Sequence, residues 1–202
     1  MATTETRKAA AESTAANLGT ADPAPLGLAG FAATTLVLSM VNAKWVDAGV
    51  VAAVLPLALF YGGLGQIIAG LLEYRRGNTF GTTAFTTYGG FWLAFAFYSW
   101  FFAKQAGTHA NTATGLFLLM FGIVTAYLTI AAMRISLAVL VVFVLLTLTF
   151  IILAIGALAS SDAIGQVGGY VGILTAIAAF YASAAGVINT TWKRAVLPVW
   201  PY

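Results

Sequence analysis

The chain has 202 residues, of which 61% are hydrophobic and 7% are charged, and its mean hydropathy is +0.94. An average soluble chain carries about 25% charged residues, so this composition excludes an ordinary soluble domain and indicates a protein embedded in lipid. The net charge of +3 comes from a few residues between apolar stretches and gives no indication of nucleic-acid binding. With no cysteine and a single histidine, His109, neither a metal centre nor a thiol nucleophile nor a cofactor site is expected.

The N-terminal segment is rich in Ala, Thr and Ser and lacks the apolar core of a cleavable signal peptide. Residues 1–21 are predicted to form a disordered cytoplasmic tail. Six apolar stretches follow, each near the roughly 20 residues that cross a hydrocarbon core as a helix. Residues 22–192 are therefore predicted as a six-helix transmembrane domain, and residues 193–202 as a cytoplasmic C-terminal tail.

Charged and aromatic residues mark the ends of these stretches. The predicted spans are residues 26–43, 49–72, 82–103, 112–133, 135–159 and 165–189. A membrane β-barrel requires segments of roughly ten residues with alternating polarity, whereas the fifth stretch is almost continuously apolar. Because lipid demands internal hydrogen bonding, the predicted fold class is an all-α integral membrane protein.

The orientation follows from the basic residues in the short loops, which are enriched on the cytoplasmic side. One side carries Arg7, Lys8, Arg75, Arg76, Arg134, Lys193 and Arg194, and the other carries Lys44 and Lys104. This asymmetry predicts that both termini are cytoplasmic and that the protein is a multi-pass protein of the plasma (inner) membrane.

The first span begins with a short run that contains two prolines and a glycine, Asp22-Pro23-Ala24-Pro25-Leu26-Gly27-Leu28. One interpretation is an ordinary helix start, with Asp22 as the capping residue and Pro23 at the first helical position. The other is functional: free N–H groups and the positive end of the helix dipole face a pore and attract an anion.

Two polar side chains in and beside the second span are further candidates. Gln66 lies in an otherwise apolar span, where its amide could contact a substrate or bond a neighbouring helix. Glu73 stands close to Arg75 and Arg76, which predicts an interfacial ion pair.

Asn78 and a run of threonines lead into the third span, and the threonines show one helix face with hydroxyl groups and no charge. These hydroxyl groups suit passage of a carboxylate better than its capture, because an uncharged donor releases the anion easily. The alternative is that the threonines bond back to the carbonyl group four residues earlier and have no further role. The candidate lining residues are Asn78, Thr79, Thr83, Thr86 and Thr87.

The sixth span carries overlapping pairs of glycines four residues apart, Gly165 with Gly169 and Gly168 with Gly172. Such pairs are typical of closely packed membrane helices. The sequence does not reveal which helices meet there, within one chain or between chains.

Several of these runs together resemble the acetate uptake transporter family, also called succinate/acetate permeases. That family has an Asn-Pro-Ala-Pro-Leu-Gly-Leu motif where this chain has residues 22–28, so that Asp22 replaces the usual Asn. The runs Tyr-Gly-Gly at residues 61–63, Gly-Asn-Thr-Phe-Gly at residues 77–81 and Ala-Ile-Gly at residues 154–156, with Asn189 downstream, are similar as well. The resemblance covers nearly the whole chain after the tail.

The resemblance implies a six-helix protomer, a homohexamer and a separate pore for acetate and other small carboxylates through each protomer. It also implies a constriction formed by one residue from each of the first, third and fifth helices. Carried over by motif, these residues are Phe31, Tyr88 and Leu146. An ionised Asp22 at the inner mouth would repel anions unless it caps the helix or stays protonated.

The expected function is a membrane channel or transporter for acetate and related carboxylates such as succinate. A proton-coupled symporter and an acetate-binding sensor without transport remain as alternatives. An enzyme is not expected, because the chain has no nucleophile elbow, zinc motif, phosphate-binding loop or pair of intramembrane aspartates.

Overall fold

The computed structural model describes residues 20–201, so the predicted disordered tail lies outside the described residues except for Thr20 and Ala21. Six long helices follow one another with short connections. They are α1 (Ala24–Asn42), α2 (Ala48–Arg75), α3 (Thr79–Phe97, continued by Tyr98–Phe102), α4 (Ala110–Ala132), α5 (Leu137–Leu158) and α6 (Asp162–Trp192). Their ends lie within about one turn of the predicted spans.

Five of these helices are long and apolar enough to cross a membrane. The exception is α3, whose Thr79–Phe97 part contains no charged residue but carries five threonines and three glycines that lower its mean hydropathy. The chain is a multi-pass helical membrane protein, which confirms the predicted fold class.

The second helix is irregular in its middle third. Pro56 has no N–H to donate, and the following segment Leu57–Gly65 has the wide turns of a π-helix. Helix α1 crosses α2 at this segment without room for a side chain, because a Cβ atom at Gly30 would collide with the carbonyl oxygen of Tyr61. The same crossing brings the hydroxyl of Thr34 to 3.5 Å from the carbonyl oxygen of Leu57.

Three of the four paired glycines of α6 pack against helices of the same chain. A Cβ atom at Gly169 would collide with the backbone of α1 at its C-terminal end, and one at Gly172 would collide with Ser39 of α1. A Cβ atom at Gly168 would lie 2.6 Å from Leu153 of α5. Helix α6 is therefore closely packed against both α1 and α5.

The C-terminal segment packs back onto the helices. The amide of Asn189 accepts hydrogen bonds from the N–H groups of Val196 and Leu197 at 2.8 and 2.9 Å and donates one to the carbonyl of Leu197 at 2.8 Å. The carbonyl of Trp200 then accepts a hydrogen bond at 2.9 Å from the N–H of Leu137. Because Leu137 opens α5, the segment satisfies a helix N–H that has no partner within the helix.

Candidate functional site

Two internal cavities lie in the helix bundle, one toward each end. The large cavity has a volume of about 590 Å³ and reaches the end that carries Lys44 and Asp162, here called the Lys44 face. The small cavity has a volume of about 100 Å³ and reaches the other end, which carries Ala24 and Asn78. Arg76 follows the end of α2 beside Asn78, and this end is here called the Arg76 face. Both have predominantly apolar walls with a few polar groups, as is usual for small-molecule sites.

Phe31 of α1 and Leu146 of α5 line both cavities and therefore separate them. Tyr88 of α3 lines the small cavity beside them. All three side chains point into the bundle, with 3–4% of their surface exposed. Of the three residues expected at the constriction, Phe31 and Leu146 thus lie between the cavities, and Tyr88 lies next to Phe31 on the small-cavity side.

The rings around this point restrain one another. The ring centroids of Phe31 and Tyr88 are 5.8 Å apart, and Tyr88 also lies near Phe143 and is stacked on Phe150. The hydroxyl of Tyr88 donates a hydrogen bond to the hydroxyl of Thr125 across 3.1 Å. Because Thr125 is on α4, this bond fixes the ring between two helices.

The polar part of the small cavity consists of Gln66, Glu73 and Asn78. Both ends of the Asn78 side-chain amide form hydrogen bonds. Its oxygen accepts one from the N–H of Gly81 at 3.0 Å, and its nitrogen donates one to the carboxylate of Glu73 at 2.9 Å. Gln66 is 1% exposed, and its side-chain oxygen has no hydrogen-bond partner among the described residues. An unpartnered buried amide on a cavity wall favours the substrate-contact interpretation of Gln66 over bonding to a neighbouring helix.

The predicted ion pair of Glu73 is wrong. Arg76 pairs instead with Asp22, and Glu73 is buried with 1% exposure against Asn78. The reason is the close approach of α3, where a Cβ atom at Gly81 would be only 2.9 Å from the Glu73 side chain. The absence of a side chain at Gly81 gives Glu73 its place inside the bundle.

The large cavity has polar walls that sequence reasoning missed, among them Thr35 and Trp92. The hydroxyl oxygen of Thr35 and the ring nitrogen of Trp92 are buried and have no hydrogen-bond partner among residues 20–201. The spacing along the chain could have indicated these two residues. Thr35 follows Phe31 by four positions and Trp92 follows Tyr88 by four positions, so each shares a helix face with a predicted constriction residue. Thr149, three positions after Leu146, lines the same cavity.

Among the threonines predicted to line the pathway, Thr86 of α3 is directed toward α2. Thr79, Thr83, Thr86 and Thr87 are not among the residues that line these two cavities. The hydroxyl of Thr86 donates to the carbonyl of Thr82 at 2.6 Å, and its methyl group lies against Gly70 of α2. For Thr86, these contacts favour the interpretation in which a threonine bonds back to its own helix, as Thr82 also does to the carbonyl of Asn78 at 2.8 Å.

The proline-rich start of α1 is tied to its surroundings. Asp22 accepts a hydrogen bond from the N–H of Ala24 at 3.1 Å and forms an ion pair with Arg76. Pro23 and Pro25 have no N–H, and the N–H of Gly27 donates to the carbonyl of Pro23 at 3.2 Å. Only the N–H of Leu26 remains in the first turn, which favours a helix start over an anion site. The start differs from the prediction by one residue, because Pro23 rather than Asp22 occupies the capping position and the helix begins at Ala24.

The same start also packs tightly on its neighbours. The carbonyl oxygen of Pro25 accepts a hydrogen bond from Ser183 of α6 at 2.7 Å, and its ring lies against Gly186. A Cβ atom at Gly27 would lie 2.5 Å from the ring of Phe85 of α3. The prolines and the glycine therefore position α1 between α3 and α6 beside the small cavity.

Two cavities with a few polar groups, separated by the apolar side chains of Phe31 and Leu146 within one bundle of membrane helices, define a membrane protein of the solute-conducting class. The chain belongs to the GPR1/FUN34/yaaH family, which it matches over residues 6–202.

Individual relatives are similar over most of the chain. The chain is 44% identical to Accumulation of dyads protein 2 of Saccharomyces cerevisiae, covering 83% of this chain and 61% of that protein. It is 38% identical to the succinate-acetate/proton symporter SatP of Escherichia coli K12, covering 91% of this chain and 97% of that protein. The solved structure of the bacterial acetate channel SatP superimposes with a TM-score of 0.83 at 38% identity, covering 89% of this chain and 99% of that one.

The chain therefore spans about three fifths of the yeast relative, at 61%, and nearly the full length of the bacterial one.

Proposed function

We propose that this chain forms a transmembrane pathway for acetate and related small carboxylates such as succinate, with one pathway through each protomer. The single observation that carries the proposal is that Phe31 and Leu146 line both cavities. A carboxylate moving from one cavity to the other must pass between these two side chains and beside Tyr88. The bacterial relatives named for succinate and acetate transport support the choice of substrate.

The large cavity is where the substrate enters from the Lys44 face. Its buried hydroxyl of Thr35 and ring N–H of Trp92 lack partners among the described residues and can donate to a carboxylate. Neither donor is charged, so the anion is stabilised without being held as an arginine would hold it. The exposed ion pair between Lys44 and Asp162, with atoms 2.9 Å apart, flanks the mouth of this cavity.

The constriction acts as a size and wetting gate. Phe31, Tyr88 and Leu146 present apolar surfaces to each other, so a small acid passes when the side chains shift and a larger one is retarded. The rings packed around Tyr88 limit that shift. Selection by size at an apolar constriction is compatible with a channel and with a carrier.

The arrangement in the cell follows from the basic residues counted along the sequence. We propose that the Arg76 face and both termini are cytoplasmic, with residues 22–192 forming the transmembrane domain and residues 193–202 the C-terminal segment. The protein resides in the plasma (inner) membrane, assembles as a homohexamer and has no enzymatic activity.

Purified protein in liposomes tests the proposal through uptake of radiolabelled acetate. We expect initial rates that saturate with acetate concentration, exceed those of protein-free liposomes and fall when unlabelled succinate is added. Rates that equal the protein-free rates at every concentration would refute transport. Saturable acetate binding without any such uptake would instead support the sensor alternative, and an acetate-dependent current would favour a channel over a proton-coupled symporter.

A further inference from the structure

The small cavity contains a buried carboxylate that the pathway described above does not use. Glu73 of α2 is 1% exposed and lines the cavity together with Gln66, two turns earlier on the same helix. The carboxylate of Glu73 accepts one hydrogen bond from a described residue, which comes from the side-chain amide of Asn78 at 2.9 Å. Ionisable side chains in membrane helices are costly, so one that persists at such a position marks a functional site.

The surroundings of Glu73 supply little compensation for a negative charge. Arg76 and Asp22 interact with it electrostatically, but these two form an ion pair with each other. Tyr88 of α3 is the other titratable group on the cavity wall. Helices α1 and α5 contribute apolar residues there, such as Leu28 and Val142, and α4 and α6 contribute none of the lining residues.

Gln66 offers the small cavity a hydrogen-bonding group that complements a carboxyl group. Its amide has a donor end and an acceptor end, and its oxygen is buried without a partner in the described part of the chain. A protonated carboxyl group can accept from the amide N–H and donate its O–H to an acceptor in return. A carboxylate offers acceptors only.

The volume of the small cavity allows a substrate to lie next to Glu73. A cavity of about 100 Å³ has room for several water molecules or for a small carboxylic acid, and Glu73 lies on its wall. Two carboxylates confined to one such site cannot both be ionised, because their repulsion in an apolar environment favours the binding of one proton by the pair.

We infer that the small cavity is a proton-dependent carboxyl site in which Glu73 shares one proton with the substrate carboxylate and Gln66 hydrogen-bonds the same group. A substrate enters the site when either Glu73 or the substrate carries the proton, and no other bond forms or breaks. This inference rests on the proposed transport function. It makes uptake increase with acidity through a residue of the protein rather than through the chemistry of the substrate alone.

The test compares wild-type protein with Glu73→Gln in liposomes, using initial rates of radiolabelled acetate uptake with protein-free rates subtracted. The glutamine keeps the shape of the side chain and an oxygen that accepts from Asn78, but it carries no charge. For the wild type we expect the rate at fixed total acetate to rise severalfold as the pH falls from about 8 to about 6, because the pair of carboxyl groups then binds its proton more readily. Glu73→Gln should be nearly independent of pH and faster than the wild type at about pH 8.

Asp47→Asn is the control, because it removes an exposed carboxylate that lines neither cavity, and it should keep the wild-type pH dependence. A Glu73→Gln variant that retains the full pH dependence would overturn the inference, because the dependence would then come from the substrate. A wild-type rate that does not change with pH would overturn it even if the variant failed to fold. Absence of saturable uptake by the wild type at every pH would instead refute the proposed function itself.

Discussion

The hydroxyl of Tyr88 donates a hydrogen bond to the hydroxyl of Thr125 across 3.1 Å, which commits the polar end of this residue to α4. The ring alone is then available to the constriction, where its centroid lies 5.8 Å from that of Phe31. This relationship separates two roles that the sequence leaves combined in one tyrosine, a hydrogen-bond donor to the substrate and an apolar wall.

Replacing Tyr88 by Phe should therefore leave the KM for acetate unchanged and lower the free energy of unfolding by about 1 kcal/mol, the usual net value of a buried hydrogen bond. Loss of a substrate contact of that size would raise the KM about fivefold. Uptake kinetics in liposomes and thermal unfolding in detergent measure the two quantities. Thr125→Val removes the other partner and should reproduce the loss of stability, whereas a raised KM in Tyr88→Phe alone would show that the hydroxyl contacts the substrate.

Close packing of α1 on the π-helical part of α2 leaves no space at Gly30, where a Cβ atom would collide with the Tyr61 carbonyl. Gly30→Ala should destabilise the protein by about 1–3 kcal/mol, because the helices must move apart. Gly90→Ala is the control, since a Cβ atom there meets nothing within 4 Å, and alanine favours a helix over glycine. Thermal unfolding of the two variants in detergent should differ in sign, and equal midpoints would contradict the close contact.

Asp22 has two contacts that substitutions can separate. Asp22→Asn keeps an oxygen for the N–H of Ala24 and loses the ion pair with Arg76, whose partly exposed side chains make it worth at most about 1 kcal/mol. Asp22→Ala loses both contacts and should cost about 1 kcal/mol more, as removal of a helix cap does. If the two variants unfolded at the same temperature, the hydrogen bond to Ala24 would have no part in stabilising the start of α1.

Asn189 holds the C-terminal segment through its three hydrogen bonds to Val196 and Leu197. Asn189→Ala should release this segment, and trypsin should then cleave faster after the exposed residues Lys193 and Arg194. Loss of about 1.4 kcal/mol corresponds to about a tenfold change in rate when opening precedes cleavage. The neighbouring exposed Thr190→Ala serves as the control, and indistinguishable release of the C-terminal peptide from both variants would show that Asn189 does not restrain it.

The sequence predicted the helices well because charged and aromatic residues lie at their ends. Lys44, for example, follows the end of α1 at Asn42, and Arg76 follows the end of α2. The length of each apolar stretch predicts the helix between these ends, because a helix forms all of its backbone hydrogen bonds internally, as lipid requires. The π-helical turns of α2 were not predictable in this way, because they depend on how α1 crosses it.

Which side of each helix faces the cavities was much harder to predict. Leu146 is buried between the cavities whereas Leu148 on the same helix is 47% exposed, and the largely apolar sequence of α5 does not distinguish the two leucines. The expected lining by the α3 threonines illustrates the same difficulty, because Thr86 packs on Gly70 of α2. The burial of Glu73 could not be predicted, because the space that Gly81 leaves for its side chain depends on how α2 and α3 pack together.

The central claim is that substrates pass between the two cavities at Phe31 and Leu146. The most direct measurement is the relative uptake of acetate, lactate and succinate by liposomes containing Leu146→Ala, with the lipid-exposed Leu148→Ala as the matched control. We predict that Leu146→Ala raises lactate and succinate uptake relative to acetate, as Phe31→Ala should, while Leu148→Ala keeps the wild-type ratios. Identical ratios in wild type, Leu146→Ala and Leu148→Ala would contradict a pathway through this constriction.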